Sequence, residues 1–175
     1  MRRNKLKIAR VLLLMGMGAA LGVSVQGLLP FHIMVIVGLF LLLVQGARRG
    51  FLWAALAGLL YETVSPFPPF TFFAALFATL GVSAFILAKY VSHRTFFGAL
   101  VIGGIGGALY ELFTFLFSHV GKITGDGWLP AWDWHYTKFI LLRAVATAIT
   151  LGILTLLAKQ ISPGVRGVMI AYQRP

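Results

Sequence analysis

Long runs of apolar residues, separated by short polar breaks, alternate along the whole chain. A membrane-spanning helix needs about 20 such residues, because each backbone group in lipid must find its hydrogen-bond partner within its own helix. The pattern predicts an all-α membrane protein, a single domain of residues 1–175 with a bundle of about six transmembrane helices. The predicted spans are residues 11–29, 31–44, 51–64, 70–90, 95–117 and 139–158. A short N-terminal segment, residues 1–10, and a C-terminal tail, residues 159–175, lie outside the spans.

Three of these spans need comment because of their lengths. The second and third are shorter than a standard span and end at the breaks QGARR, residues 45–49, and SPFPP, residues 65–69. Either they are two short or tilted helices, or they form a re-entrant pair. The first span follows a basic segment, as a signal peptide does. Signal-peptide cores hold about 7–15 residues, and this longer run leads almost directly into more apolar sequence, so we interpret it as an uncleaved span.

Composition agrees with a membrane location. Hydrophobic residues make up 59% of the chain, charged residues 11%, and the mean hydropathy is +0.92. A water-soluble domain would need more polar surface. The formal net charge is +11, but the basic residues are scattered at segment ends, which does not favour a nucleic-acid partner. The chain has no cysteine, which excludes disulfides and thiolate metal sites.

The distribution of basic residues predicts the orientation in the membrane. Lysine and arginine collect in cytoplasmic loops, and six spans place twelve of the fifteen basic residues on one side. Lys122 and Lys138 fall on the opposite side, and Arg143 lies inside the last span. Both termini are therefore predicted to be cytoplasmic. The basic residues on the cytoplasmic side are Arg2, Arg3, Lys5, Lys7, Arg10, Arg48, Arg49, Lys89, Arg94, Lys159, Arg166 and Arg174.

The longest predicted loop, residues 118–137, then faces outward. It is rich in aromatic side chains that are typical of a membrane-interface belt: Trp128, Trp132, Trp134 and Tyr136. It also holds four side chains of metal-ligating type: His119, Asp126, Asp133 and His135. No pair of them has the spacing of helical metal ligands, so we predict no metal site.

A repeated motif holds half of the acidic residues. GLLYET at residues 58–63 recurs as GALYEL at residues 107–112, and the chain has only four acidic residues. At 1.5 Å per residue, Glu62 lies about 20 Å beyond Arg49 and Glu111 about 25 Å beyond Arg94. Arg143 reaches a similar depth from the other side.

An unpaired charge in mid-membrane costs about 2.5–3.5 kcal/mol, so such groups usually pair inside the bundle. We predict an intramembrane polar cluster in which Arg143 bridges to Glu111, and Glu62 or Tyr110 completes the hydrogen bonds; Tyr61 belongs to the same motif. The cluster either ties helices together or forms a binding face for a partner, and the residues leave both interpretations open.

Glycines accompany each glutamate. Small residues let helices approach closely in lipid, so we predict a helix-packing seam at Gly58, Gly103 and Gly107. An intramembrane enzyme is a further alternative, since paired carboxylates can divide acid and base roles. No serine, histidine or aspartate set lies at matching depth: His32 starts the second span and His93 lies in a turn, so both are interpreted as interfacial. We predict a non-enzymatic protein without a cofactor.

The order of these features resembles that of the bacterial rod-shape-determining membrane protein family MreD. A basic turn at residues 48–51 precedes the glycine-bearing helix that ends in Glu62, and Ser65-Pro66 follow. A long helix to Lys89, a second basic turn at residues 93–94 and the Leu109-Tyr110-Glu111 helix come next. The resemblance covers residues 48–118 and, loosely, the last helix. This chain departs from the family in having Glu rather than Asp at the first acidic position, and in its proline-rich turn.

The resemblance implies a non-enzymatic member of the cell-elongation complex in the bacterial plasma membrane. It implies an MreC-like partner and, through the complex, MreB, RodA and penicillin-binding protein 2, in addition to the lipid bilayer. The family's six-helix arrangement is similar to that of the substrate-binding subunits of energy-coupling-factor vitamin transporters. Such a subunit is the alternative function, because fold alone does not choose between the two.

Overall fold

The computed structural model describes residue 17 and residues 32–64, 67–90, 95–122 and 132–161. These residues form five helices and contain no strand, so the all-helical fold is confirmed for them. We number the helices α1 Ile33–Gln45, α2 Ala47–Glu62, α3 Thr71–Lys89, α4 Phe96–Lys122 and α5 Trp134–Ile161.

Three of the five helices, α3, α4 and α5, are long and apolar enough to span a membrane, which indicates a membrane protein. Helix α1 is apolar but has only 13 residues, and α2 has 16, including two arginines. The described part of the chain therefore does not support the count of six spans. The first predicted span, residues 11–29, lies outside the described residues except for Met17.

Helices α1 and α2 form an antiparallel hairpin with one residue between them. Gly46 has φ 88° and ψ 169°, a backbone conformation that side chains disfavour. The indole Nε1 of Trp53 on α2 donates a hydrogen bond to the carbonyl of Met34 on α1 at 2.8 Å. The two short runs, for which the sequence allowed separate helices or a re-entrant pair, are thus joined as one helical hairpin.

Helix α1 lies at the centre of the bundle. It contacts each of the other four helices, and six of its large side chains are buried: Met34, Val35, Ile36, Leu39, Leu42 and Leu43. Apolar burial over most of its surface holds this short helix in place, while Val37, Phe40 and Val44 form a partly exposed stripe. Its first turn consequently starts inside the bundle, beside α4 and α5.

Helices α4 and α5 extend further than the apolar runs predicted. Helix α4 ends at Lys122 rather than at residue 117, and α5 begins at Trp134 rather than at residue 139. Local hydrogen bonds accommodate the polar residues in these turns: the Ser118 hydroxyl donates to the Thr114 carbonyl, and the Asp133 carboxylate accepts from the Tyr136 backbone, each at 2.7 Å. The outward loop is correspondingly shorter than predicted.

Candidate functional site

Glycines bring α4 and α5 close together. A Cβ atom added at Gly103 would lie 2.7 Å from the Cα of Ala148, and one added at Gly107 would lie 3.1 Å from the Cα of Ala144. A methyl group at either position would push against the α5 backbone. Gly103 and Gly107 therefore line the α4–α5 contact at the point where only a glycine permits this approach.

Glu111 and Arg143 form an ion pair across the same contact. Nη1 of Arg143 donates to Oε1 of Glu111 at 2.7 Å, and only 4% of Glu111 is exposed. This is the pairing that the depth of the two residues predicted. Each charge meets its counter-ion inside the bundle, where a single charge would be costly.

His32, the residue before α1, is the third member of the cluster. Its Nε2 lies 2.8 Å from Oε1 of Glu111 and also contacts Nη1 of Arg143. Its ring meets the Tyr110 ring edge-on, with centroids 4.6 Å apart. The assignment of His32 to the membrane interface was wrong, because the central position of α1 buries it. We call His32, Glu111 and Arg143 the ionic cluster.

The proton on His32 decides how the ionic cluster shares its hydrogen bonds. A neutral imidazole carries an N–H on one ring nitrogen only. With the proton on Nε2, His32 donates to Glu111; with the proton on Nδ1, Nε2 accepts from Arg143. One nitrogen cannot do both, so the two tautomers give two mutually exclusive hydrogen-bond patterns in the same packing.

The cluster is enclosed and its hydrogen-bonding capacity is not fully used. The His32 Nδ1 and Arg143 Nε atoms are buried without a hydrogen-bond partner. Unpaired buried polar groups cost free energy. Removing any one member of the ionic cluster would therefore leave more buried polar atoms without hydrogen-bond partners.

Aromatic rings close the α5 side of the cluster. The Arg143 guanidinium lies 4.0 Å from the centroid of the Phe139 ring, a cation–π contact. The Tyr136 hydroxyl lies 3.5 Å from the Glu111 carbonyl, and its ring is 5.5 Å from that of Phe115. The Phe139 ring thus attracts the guanidinium charge electrostatically, which a lipid acyl chain would not do.

The ionic cluster lies well inside α4 and α5: Glu111 is near the middle of α4, and Arg143 is about a third of the way along α5. Glu111 precedes the end of α4 at Lys122 by 11 residues, and Arg143 follows the start of α5 at Trp134 by 9. At 1.5 Å per residue these distances are about 16 Å and about 13 Å. More than two helical turns therefore separate the cluster from the nearer end of each helix, which places it inside the hydrocarbon core of a membrane that covers these helices.

Glu62 does not join the ionic cluster, which corrects the predicted polar cluster. Its Oε1 accepts hydrogen bonds from the backbone N–H groups of Phe72 at 2.6 Å and Phe73 at 3.1 Å. These are unpaired donors of the first turn of α3, so the carboxylate caps that helix. A Cβ added at Gly58 would lie 2.8 Å from the Cα of Phe73, so a close α2–α3 contact brings the cap within reach.

Tyr61 also makes its ring contact outside the ionic cluster. The ring is half-buried and packs edge-on against Phe72, with centroids 4.3 Å apart. Tyr61 lies in the last turn of α2, which ends one residue later at Glu62. Of the five residues predicted for the cluster, Glu111 and Arg143 pair, and Tyr110 meets His32 through its ring rather than by the predicted hydrogen bond. Glu62 and Tyr61 contact α3 instead.

The predicted aromatic belt is described only in part. Trp128 lies outside the described residues, whereas Trp132 and Trp134 are exposed near the start of α5. The Lys138 ammonium lies 5.3 Å from the Trp134 ring centroid. Exposed indoles at a helix end fit a membrane interface.

Two of the possible metal ligands in this region make local hydrogen bonds, and a third, His135, is exposed in the first turn of α5. Nδ1 of His119 lies 2.9 Å from the carbonyl of Phe115, and Asp133 caps the first turn of α5. Asp126 lies outside the described residues. Within the described ranges, no three histidine, aspartate or glutamate side chains form a group that could hold a metal ion.

Sequence reasoning missed His32 as a member of the site. The available signal was its position: a 13-residue helix reaches only about 20 Å from the basic break at residues 45–49. Its first residue therefore stops at the depth of Glu111 rather than at the opposite surface.

Comparison of the chain with protein-family models, with curated proteins and with solved structures finds no match.

Proposed function

We propose that this chain is a non-enzymatic scaffold of the bacterial cell-elongation complex, of the MreD type, which organises peptidoglycan synthesis through its helix faces. The observation that carries the proposal is that the protein's own groups engage both glutamates of the repeated motif. Glu111 binds His32 and Arg143, and Glu62 binds the first turn of α3. Carboxylates used in this way favour a role in holding helices together over a role in ligand chemistry.

The outward surface of α5 supports contacts with partners inside the membrane. Its exposed residues recur every three or four positions and form an apolar stripe: Leu142, Val145, Ile149 and Ile153. In the proposal an MreC-like protein packs on such a face, and MreB, RodA and penicillin-binding protein 2 associate through the complex. A helix packed on this stripe would replace lipid without requiring a soluble domain.

The proposal places the chain in the bacterial plasma membrane as a multi-pass protein with both termini in the cytoplasm. The exposed Arg48 and Arg49 at the hairpin tip and Lys89 at the end of α3 support this orientation, because basic residues favour the cytoplasmic side. The six-span arrangement belongs to the same proposal. In it, residues 11–29 and the α1–α2 hairpin contribute the first three spans, although α1 itself reaches only about 20 Å from the hairpin tip.

Co-purification from native membranes tests the proposed function. The tagged chain is solubilised in mild detergent, and co-purifying proteins and small molecules are identified by mass spectrometry against an untagged control. We expect an MreC-like protein to be enriched. Enrichment of transporter ATPases together with a stoichiometric small molecule would instead establish the vitamin-transporter alternative.

A further inference from the structure

We propose that the tip of the α1–α2 hairpin, together with the outward face of α2, binds an anionic phospholipid. Arg48 and Arg49 bind the headgroup phosphate, and Leu52 and Leu59 contact an acyl chain. This binding surface is independent of the ionic cluster and goes beyond the scaffold function. We call these four residues the lipid face.

Among the described residues, the arginines of the lipid face have no carboxylate partner. The four acidic residues of the chain are Glu62, Glu111, Asp126 and Asp133. Glu62, the nearest along α2, lies 14 residues beyond Arg48, about 21 Å along the helix. The Arg49 side chain donates to a neutral group, the Gln45 Oε1, at 2.5 Å. The charge of both arginines is thus left for an external anion.

The position of the arginines in α2 makes this charge unfavourable within the chain itself. The first turn of a helix favours acidic side chains, because the helix dipole is positive there. Helix α2 has no acidic residue in its first turn and carries Arg48 and Arg49 instead. An anion bound outside the tip would relieve this repulsion.

A third basic residue lies at the same end of the bundle. Helices α2 and α3 run antiparallel, with the Phe51 and Phe77 rings 5.6 Å apart, so α3 ends on the same side of the bundle, about 13 Å beyond Arg48 along the helix axis by residue count. Lys89 is exposed there, with its ammonium 5.1 Å from the Tyr90 ring centroid. Lys89 therefore adds positive charge on the same side of the bundle as the arginines, without contacting them.

The apolar part of the lipid face distinguishes a phospholipid from other anions. Leu52 lies four residues after Arg48, and Leu59 lies seven residues after Leu52. At this helical spacing all three share one face of α2. The two leucines are 42% and 48% exposed. A charged group followed by an apolar stripe matches a phosphate headgroup followed by an acyl chain, whereas inorganic phosphate or an acidic peptide would not use the leucines.

Lipid competition on the full chain tests the proposal. Purified protein in neutral detergent is mixed with equal amounts of phosphatidylglycerol and phosphatidylcholine with identical acyl chains, and single-lipid adducts are compared by native mass spectrometry. We expect wild type to prefer phosphatidylglycerol. Arg48→Gln with Arg49→Gln should lower this preference about fivefold for each arginine, the effect of one basic side chain at an anionic membrane surface.

Matched variants and a crosslink make the test specific to the lipid face. Arg2→Gln with Arg3→Gln removes the same charge elsewhere and should leave most of the preference. Phosphatidylglycerol with a photoreactive acyl chain should label the peptide that contains Leu52 and Leu59. The proposal is overturned if the two double variants lose the preference equally, if the label is absent from α2, or if millimolar inorganic phosphate displaces the lipid completely. Unchanged thermal unfolding midpoints would show that both variants are folded.

Discussion

At the scale of single residues, the two glutamates of the repeated motif find different hydrogen-bond partners in place of water. Glu111 lies within α4, where the backbone donors are already used by the helix, so only side chains can pair with it. Glu62 is the last residue of α2, and the unpaired backbone donors of α3 begin nearby. The same motif therefore gives an ion pair in one helix and a helix cap in the other.

We expect Glu111→Gln to lower stability strongly. The change leaves Arg143 with a neutral partner in the bundle interior, and breaking a buried ion pair from one side typically costs about 3–5 kcal/mol. The measurement is abundance in membranes, with the thermal unfolding midpoint in detergent. Glu111→Gln combined with Arg143→Gln should recover much of the loss, because no charge then remains unpaired. Normal abundance of the single variant, with its partner still bound, would contradict the structural role.

Glu62 should tolerate substitution better than Glu111. Glu62→Gln retains an oxygen that can accept from Phe72, so we expect a loss below about 1 kcal/mol, whereas Glu62→Ala removes the cap and should cost about 0.5–2 kcal/mol. Thermal unfolding of the two variants beside Glu111→Gln measures the order. An abundance loss for Glu62→Gln as large as that for Glu111→Gln would be inconsistent with a capping role.

At the scale of helices, the apolar runs predicted the position of all five described helices, but their ends less well. Hydropathy reports which residues prefer lipid, whereas a helix continues wherever its polar residues find local partners, as Ser118 and Asp133 do. The hairpin was harder to predict, since it depends on the backbone conformation of Gly46. No property of the apolar runs around it records that conformation.

Two neighbouring glycines in α4 should respond oppositely to the same change. Gly103→Ala places a methyl group against the backbone of Ala148, and overpacking of this kind typically costs about 1–3 kcal/mol. At Gly104 the nearest atom to an added Cβ is the Ala148 Cβ at 3.7 Å, an ordinary contact. Gly104→Ala should therefore be neutral or stabilise by up to about 1 kcal/mol. Equal unfolding midpoints for the two variants would argue against the close α4–α5 contact.

At the scale of the whole molecule, the ionic cluster joins the start of α1 to the middle of α4 and to the first half of α5. The Glu111–Arg143 part could be predicted from sequence, because both residues could be placed by counting along straight helices from a basic flank. Counting from the break at residues 45–49 gives the depth of His32 but not its contact with Glu111, because that contact depends on which helix occupies the centre. Burial by several neighbours is a property of the assembled bundle.

The orientation of the bundle can be measured directly, since the chain has no natural cysteine. Single cysteines introduced at Ala47 and Ser92 should resist an impermeant thiol reagent in intact cells, because the basic residues beside them favour the cytoplasmic side. A cysteine at Gly125 should react. Labelling after permeabilisation serves as the control for reactivity, and the reverse pattern in intact cells would exclude the proposed orientation.

The single-residue turn at Gly46 has a consequence for how the protein enters the membrane during its synthesis. Because only one residue separates α1 from α2, we expect that neither helix enters the lipid without the other. The two helices then enter the membrane together as a formed hairpin, and the turn that carries the arginines stays in the aqueous phase on one side. Gly46→Pro, which forbids a positive φ, should therefore impair insertion at an early stage, and nascent chains should become accessible to protease before α3 has been made.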